Sequence, residues 1–154
     1  MDDTLSLAEL RRAAPGTPIC ASETLGGKMA FRDLLVAGAT DVVMVDLTWC
    51  GGLTEARKIA ALAEAWARPV APHDCIGPVT LVASLRFALH ALTAIFQEVV
   101  RATLSTWYRD LVTALPVVEN GFCLSMAGPG LGTARHGTAL TPDTRKRAYV
   151  RESR

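Results

Sequence analysis

The sequence predicts an α/β protein in which short, buried parallel strands alternate with helices. Four apolar segments are each followed by an ionisable residue, at Glu23, Asp46, His73 and Glu98. Successive members of this set are 23, 27 and 25 positions apart, which is about the length of one strand plus one helix. Half of the residues are hydrophobic and only 20% are charged. Such a composition is typical of a parallel sheet that is buried on both faces.

Hydrophobic periodicity and turn residues divide the chain into eight elements. Ser6, with Glu9 three residues later, is typical of a capping box at the first helix, and Thr54 is the expected N-cap of the third. In chain order we expect a helix over 5–14, a strand over 18–22, a helix over 28–37, a strand over 42–45, a helix over 55–67, a strand over 70–73, a helix over 79–92 and a strand over 94–97.

The alternation fits an open doubly wound sheet or part of a closed (β/α) barrel. The ionisable residues at the strand ends favour the barrel, because catalytic groups there come from several successive strand ends. We expect residues 1–135 to form this partial barrel. Residues 136–154, which carry a basic C-terminal run, are expected to be a poorly ordered tail.

Composition and charge exclude several classes of protein. No stretch of about 18 apolar residues lacks a polar interruption, so we expect no membrane span. The net charge of +1 gives no electrostatic basis for nucleic-acid binding. The acidic start Met1-Asp2-Asp3 argues against a secretory signal. The four cysteines include no Cys-x-x-Cys pair, so reduced thiols in a cytoplasmic protein are expected, and zinc held by His73 and Cys75 does not match known spacings.

The four residues at the strand ends form a plausible catalytic set. Asp46 and His73 end neighbouring strands, so a carboxylate–imidazole dyad is expected that takes a proton from carbon or delivers one to a leaving group. Glu23 could bind a divalent cation, weakly if alone, and Glu98 could hydrogen-bond a substrate oxygen that gains charge. Each residue also has a structural alternative: His73 as a turn residue, and Asp46 and Glu98 as helix caps or solvated side chains. Asp74 is interpreted as a turn or cap residue.

Several short motifs occur in an order that resembles a known family. From about Pro18 to Gly132 the chain resembles the barrel domain of the mandelate racemase branch of the enolase superfamily, and is most similar there to galactonate dehydratase and related acid-sugar dehydratases. Together the motifs are specific, whereas each alone is weak. They are Ala21-Ser22-Glu23-Thr24, Val45-Asp46 with Trp49-Cys50-Gly51-Gly52, Ala71-Pro72-His73-Asp74, Phe96-Gln97-Glu98 and Thr106-Trp107-Tyr108-Arg109-Asp110-Leu111.

The resemblance implies a role for each candidate residue. Glu23 matches the third carboxylate ligand of the family's Mg²⁺. Asp46 and His73 match the dyad on the sixth and seventh barrel strands, and Glu98 matches the eighth-strand glutamate near the substrate carboxylate. In that family Mg²⁺ binds the carboxylate of a sugar-acid substrate and stabilises the enolate formed by removal of the α-proton. Loss of the β-hydroxyl then gives a 2-keto-3-deoxy acid.

The chain also departs from the family pattern. A full barrel takes about 250 residues, and the counterparts of the capping domain, the first four strands and the other two metal carboxylates are not found. We therefore expect a C-terminal half-barrel fragment of an acid-sugar dehydratase that is inactive alone and binds Mg²⁺ weakly or not at all. Two alternatives stay open. One is a non-catalytic half-barrel that forms a homo-oligomer or binds a partner through exposed strands near Ile19 and Phe96. The other is a racemase or epimerase acting on a carboxylate substrate.

Overall fold

A computed structural model describes residues 3–137, in which a small parallel sheet is flanked by helices. The sheet contains β1 (Cys20–Ala21), β2 (Val42–Val45) and β3 (Val70–Pro72). The helices are α1 (Thr4–Ala13), α2 (Gly27–Val36), α3 (Leu47–Cys50), α4 (Leu53–Ala65), α5 (Pro78–His90), α6 (Arg101–Ser105) and α7 (Tyr108–Leu111). A short antiparallel pair, β4 (Val118–Glu119) and β5 (Phe122–Cys123), follows.

The strand order is β1-β2-β3, and both pairings are parallel. Val43 lies opposite Val70 in the register, and Val45 lies opposite Pro72. Asp46 and His73 each follow their strand directly and therefore leave the sheet at the same level. The parallel strands predicted for this part of the chain are confirmed.

The predicted fourth strand over 94–97 is wrong as a regular strand. Ala94 forms an isolated parallel bridge with Val70, and the Ile95 amide donates to the Val70 carbonyl at 3.1 Å. The next bond of a regular ladder would need an amide hydrogen on residue 72, and Pro72 has none. The Pro72 carbonyl then accepts from the Glu98 amide at 3.0 Å, one residue later than a regular parallel ladder would place it.

The helix starts differ from the predicted caps. Asp3, not Ser6, is the N-cap of α1, and one of its carboxylate oxygens accepts from the amides of Leu5 and Ser6 at 3.1 Å. The helix therefore starts at Thr4, one residue earlier than predicted, because the Asp3 carboxylate accepts from amides of its first turn. Likewise α4 begins at Leu53, so Gly52 occupies the N-cap position and Thr54 lies inside the first turn.

The main hydrophobic core lies between the sheet and the helices that follow its strands. It includes fully buried side chains from α2, from α4 and from the strands, such as Phe31, Ile59 and Val70. These continuous apolar strands are what the composition predicts for a sheet that is covered on its faces. Residues 138–154, and with them most of the predicted poorly ordered tail, lie outside the described part of the chain. Within residues 3–137 no helix is both long enough and apolar enough to cross a membrane.

Candidate active site

Asp46 has no exposed surface and uses its two carboxylate oxygens for different partners. Oδ1 accepts from the amides of Thr48 at 2.7 Å and Trp49 at 3.2 Å, which caps the short helix α3. Oδ2 lies 2.8 Å from Nδ1 of His73. Asp46 is therefore a helix cap and a histidine partner at once, and the amides hold its carboxylate in a fixed orientation toward the imidazole.

His73 is held at the end of β3 by its backbone as well as by its ring. Its amide donates to the Val45 carbonyl at 3.0 Å, and its side chain is only 11% exposed. Because an ionised carboxylate can only accept a hydrogen bond, the contact with Asp46 places the ring hydrogen on Nδ1. The lone pair of Nε2 then points away from Asp46, where it can accept a proton.

Glu98 faces the opposite side of the imidazole. Its Oε2 lies 3.5 Å from Nε2 of His73, although the side chain as a whole is 38% exposed. Oε2 itself is buried and accepts no hydrogen bond from the described residues. A buried carboxylate oxygen without a donor is costly, and either a protonated His73 or a hydroxyl placed between the two residues would satisfy it.

Glu23 lies two residues beyond β1. Because the strands are parallel, it is at the same end of the sheet as Asp46 and His73. The preceding residue, Ser22, has a φ of 103°, and its hydroxyl donates to the Met44 carbonyl at 3.0 Å. A left-handed backbone at a serine is strained, and the hydroxyl bond to β2 holds the turn from which Glu23 projects. Side-chain partners for Glu23 are not seen among the described residues.

The charges of the predicted carboxylates act on two cysteine thiols near the end of the sheet. Burial raises the pKa of the Cys20 thiol to about 11, and the charges of Glu98 and Glu23 add to this effect. Burial also raises the pKa of the Cys75 thiol, and the charges of Asp46, Glu98, Asp74 and Glu23 raise it further. The end of the sheet is thus a negative region, and within residues 3–137 His73 is the one basic side chain seen in contact with Asp46 and Glu98.

The residues present do not form a complete metal site. Among residues 3–137 no group of three or more histidine, cysteine, aspartate or glutamate side chains is arranged to hold a metal ion. Glu23 offers one carboxylate, and Mg²⁺ needs near-octahedral oxygen coordination that one carboxylate supplies poorly. The carboxylates of Asp46 and Glu98 face His73 instead. Within residues 3–137 the set of oxygen donors for Mg²⁺ is therefore incomplete.

Two further buried residues adjoin the site, and the sequence did not identify them as functional. Asp74 follows His73 directly and has no exposed surface. The Tyr108 hydroxyl, also fully buried, donates to its carboxylate, with distances of 3.1 Å to Oδ2 and 3.3 Å to Oδ1. Burial raises the pKa of Asp74, although the Tyr108 bond opposes this, and burial raises the pKa of Tyr108 to about 12.

The predicted turn role of Asp74 accounts for part of this geometry, because the Gly77 amide points to its Oδ1 at 3.5 Å. Tyr108 belongs to the motif Thr106-Trp107-Tyr108-Arg109-Asp110-Leu111, which by itself predicts no role for the phenol. The position of Asp74, directly after an apolar strand and His73, could have indicated that its carboxylate is buried. Nothing in the spacing of 34 residues identifies Tyr108 as its partner.

Comparisons with known proteins find one matching family and several related proteins. Residues 1–136 match the model of the family described as enolase C-terminal domain-like. D-galactonate dehydratase of Cronobacter sakazakii (strain ATCC BAA-894) is 34% identical over 123 residues, which cover 75% of this chain and 31% of that protein. An enolase protein from environmental shotgun sequencing of the Sargasso Sea is 56% identical with a TM-score of 0.80, over 96% of this chain and 38% of that one.

A third relative was solved with a metal. A provisionally named L-alanine-DL-glutamate epimerase from Burkholderia xenovorans strain LB400, bound to magnesium and fumarate, is 31% identical with a TM-score of 0.79. The match covers 90% of this chain and 34% of the epimerase. The chain thus spans about a third of the length of each of these three proteins.

Proposed function

Because the chain belongs to the enolase C-terminal domain-like family, we propose that it is the C-terminal part of an acid-sugar dehydratase. Its fold is the C-terminal half of a TIM-type (β/α) barrel, and it belongs to the mandelate racemase branch of the enolase superfamily. The name of the Cronobacter relative supports dehydration as the reaction. The related epimerase supports the alternative of stereochemical inversion at a carbon next to a carboxylate.

One observation carries the proposal: His73 lies between two carboxylates, with Asp46 at 2.8 Å on Nδ1 and Glu98 at 3.5 Å on Nε2. Asp46 holds the hydrogen on Nδ1, so Nε2 exchanges a proton with the substrate. In a dehydration the C–H bond next to the carboxylate breaks and its proton goes to a base. The β-hydroxyl then leaves as water after it takes a proton from an acid, and the resulting enol becomes the 2-keto-3-deoxy acid.

His73 can serve as the base or as the acid in this scheme, and Asp46 stabilises the imidazolium in both cases. Glu98 accepts a hydrogen bond from the imidazolium or from a substrate hydroxyl at its buried Oε2. We propose that Mg²⁺, where the complete protein binds it, uses Glu23 together with oxygen ligands outside these 154 residues. The substrate and any activity of the whole protein are likewise part of the proposal.

A chimera tests the proposed function. Residues 3–137 replace the matching part of the Sargasso Sea protein, which is 56% identical, and the product is assayed for 2-keto-3-deoxy acids on a panel of sugar acids. We expect turnover, and we expect His73→Asn to lower it about 100-fold or more. Asp33→Asn, at an exposed ion pair on α2, is the control. A folded chimera that epimerises but never dehydrates would favour the racemase alternative.

The same chimera separates the two roles of His73. In D₂O, removal of the α-proton is seen as deuterium incorporation into recovered substrate. If His73 is the base, His73→Asn abolishes this exchange, and if His73 is the acid, exchange continues while product formation stops. Calorimetry of the isolated chain with Mg²⁺ complements this assay. Tight binding would contradict our conclusion that this chain alone has too few ligands for Mg²⁺.

Self-association is a second candidate, and exposed apolar residues support it. Ile95 and Phe96, which lie beside β3, are 54% and 49% exposed, and within residues 3–137 no strand pairs with the outer edge of β1. Unpaired strand edges recruit other strands, so we propose that the isolated chain forms homo-oligomers. Analytical ultracentrifugation of the chain and of Phe96→Lys tests this, and a monodisperse monomer at high concentration would contradict it.

A further inference from the structure

The helix α5 carries two buried hydroxyl groups on one face. Thr80 is 8% exposed and Ser84 has no exposed surface, and residues four positions apart lie on the same face of a helix. The neighbouring buried side chains of α5, among them Leu81, Val82 and Leu85, are apolar. Because a buried hydroxyl is costly without a hydrogen-bond partner, the partners of these two side chains show what the polar face of α5 is for.

Both hydroxyls bond the segments that carry Asp46 and His73. Oγ1 of Thr80 lies 2.6 Å from Oγ1 of Thr48 in the short helix α3, and either hydroxyl can be the donor. Oγ of Ser84 donates to the His73 carbonyl at 3.5 Å, which is long for a hydrogen bond between oxygens. The contact between Thr80 and Thr48 is therefore the stronger of the two.

Thr48 connects this contact to the carboxylate of Asp46. The Thr48 amide donates to Oδ1 of Asp46 at 2.7 Å, a shorter bond than the 3.2 Å one from the Trp49 amide. Oδ2 of the same carboxylate lies 2.8 Å from Nδ1 of His73. A chain of direct contacts thus leads from the Thr80 hydroxyl through Thr48 and Asp46 to the imidazole.

The helix α3 depends on contacts of this kind. It has four residues, and one turn of helix is not stable by itself. Leu47 and Cys50 are buried, whereas Thr48 and Trp49 are exposed. Burial of the two apolar side chains keeps α3 against the core without fixing the direction of the Thr48 amide. A hydrogen bond is directional, so the bond from Thr80 can fix it.

We propose that Thr80 is a positioning residue: through the Thr48 hydroxyl it holds the Thr48 amide on Oδ1 of Asp46, and this keeps Oδ2 on Nδ1 of His73. The catalytic meaning of this arrangement rests on the proposed function, whereas the arrangement itself does not. Valine has the shape of threonine without its hydroxyl. Because Thr48 is exposed, water can hydrate its hydroxyl in Thr80→Val, so this change loosens α3 without leaving that hydroxyl buried and unbonded.

The test is hydrogen exchange in the ¹⁵N-labelled 154-residue chain. Two rates are measured by NMR: exchange of the Thr48 amide, and exchange with water of the ring proton on Nδ1 of His73. His73→Asn assigns the ring signal among the three histidines. In Thr80→Val we expect the amide to exchange about fivefold faster and the ring proton at least about threefold faster, as for the loss of one hydrogen bond. Thr80→Ser keeps a hydroxyl and should restore the wild-type rates.

Thr40→Val is the matched control. The Thr40 hydroxyl is buried and bonds the carbonyls of Ile19 at 2.8 Å and Val42 at 2.6 Å. It lies before β2, at the opposite end of this strand from Asp46. The same substitution there also removes a buried hydroxyl, and we expect the His73 ring proton to keep its wild-type rate. A similar increase in Thr40→Val would assign the effect to general loss of stability and overturn the proposal.

The remaining outcomes are also decisive. Unchanged rates in Thr80→Val overturn the proposal, and so does a wild-type chain without an observable Nδ1 proton, because an ordered bond to Asp46 is required. If Thr80→Val does not fold, Thr48→Val breaks the same bond from its exposed side and should give the same increases. Failure of both variants to fold would assign the contact a purely structural role and overturn the proposal.

These spectra need no substrate, so a chimera without dehydratase activity would leave a positive exchange result standing. In an active chimera we expect Thr80→Val to lower kcat about fivefold, while Thr80→Ser and Thr40→Val retain the chimera's kcat. An unchanged kcat in Thr80→Val would overturn the positioning role.

Discussion

Asp46 and Asp74 occupy similar positions in the fold but have different hydrogen-bond partners. Each lies just beyond the end of a parallel strand, and each has no exposed surface. Asp46 meets an imidazole and two helix amides, whereas Asp74 meets a phenol and the turn that follows it. Burial is therefore the same for both, and the two carboxylates differ in their partners: Asp46 orients the His73 ring, whereas Asp74 bonds Tyr108 and the turn at 74–77.

The largest expected difference between the two aspartates is catalytic. In the chimera, Asp46→Asn should lower kcat about 10³-fold, because an amide can present its NH₂ to Nδ1 and favour the wrong tautomer. Asp74→Asn should cost less than about tenfold, since its amide oxygen still accepts from Tyr108. Steady-state kinetics on the two variants, with Asp33→Asn as control, checks this. Equal losses would mean that the two carboxylates are not functionally distinct.

The next largest effect is on stability. Here we expect the substitution at Asp74 to cost more than the substitution at Asp46. Asp74→Ala leaves the buried Tyr108 hydroxyl without its acceptor and should lower the free energy of unfolding by about 2 kcal/mol. Asp46→Asn should lower it by less than about 1 kcal/mol, because asparagine is an equally good N-cap for α3. Urea unfolding of the isolated chain measures both values. A larger loss for Asp46→Asn would show that the bond to His73 contributes more to folding than the cap does.

Acidification extends the comparison to a third aspartate. Asp41 accepts from Arg11 Nε at 2.8 Å and from the Ile19 amide at 3.0 Å. The bond from Arg11 is the main cause that lowers the Asp41 pKa from 3.8 to about 2. Because this pKa is lower in the folded state, the stabilisation is complete above about pH 4 and is lost as pH falls toward 2.

The contribution of Asp74 to stability depends on pH in the opposite direction, because burial raises its pKa. Its protonated form favours the folded state, so its contribution to stability falls as pH rises through and above the ordinary value of 3.8. We expect Asp41→Asn to flatten the acid side of a plot of Tm against pH. Asp74→Asn should make the rise in Tm between pH 3 and 6 steeper. Parallel curves for wild type and both variants would contradict these assignments.

The smallest expected effect probes Glu23. Burial is the main cause of the raised Cys75 pKa, and the charges of Glu98 and Glu23 contribute less. Glu23→Gln and Glu98→Gln should therefore each speed alkylation of Cys75 at pH 8 by about twofold or less, because more thiolate is present. Cys20, with a pKa of about 11, should react far more slowly. No change in Glu23→Gln would place Glu23 away from the site.

Much of the fold followed from simple regularities of the sequence. Buried parallel strands at steps of one strand plus one helix predicted β1, β2 and β3, and their carboxyl ends necessarily meet at one edge of the sheet. This is why Asp46 and His73 could be paired over 27 residues. The resemblance to the mandelate racemase branch is confirmed by the family match, while the roles of Glu23, Asp46, His73 and Glu98 remain predictions.

Other features could not be derived in this way. The bond from Tyr108 to Asp74 joins a strand end to a segment without periodicity, so neither spacing nor residue type predicts it. The predicted N-cap of α1, Ser6, was wrong because aspartate and serine are both good N-caps. Only the positions of the helix amides show that Asp3 takes this role. The irregular fourth strand was predictable in principle, since Pro72 cannot donate to its neighbour.

The missing amide hydrogen of Pro72 also decides which side chain reaches the histidine. If the register set by Ala94 and Val70 continued without interruption, position 97 would lie level with position 73. The skipped bond lets the chain advance by one residue, and consecutive side chains point to opposite faces. Glu98 thereby turns toward His73, while the Gln97 amide donates to the Pro72 carbonyl at 3.3 Å. The proline at position 72 thus favours a carboxylate, and not a carboxamide, as the neighbour of the His73 ring.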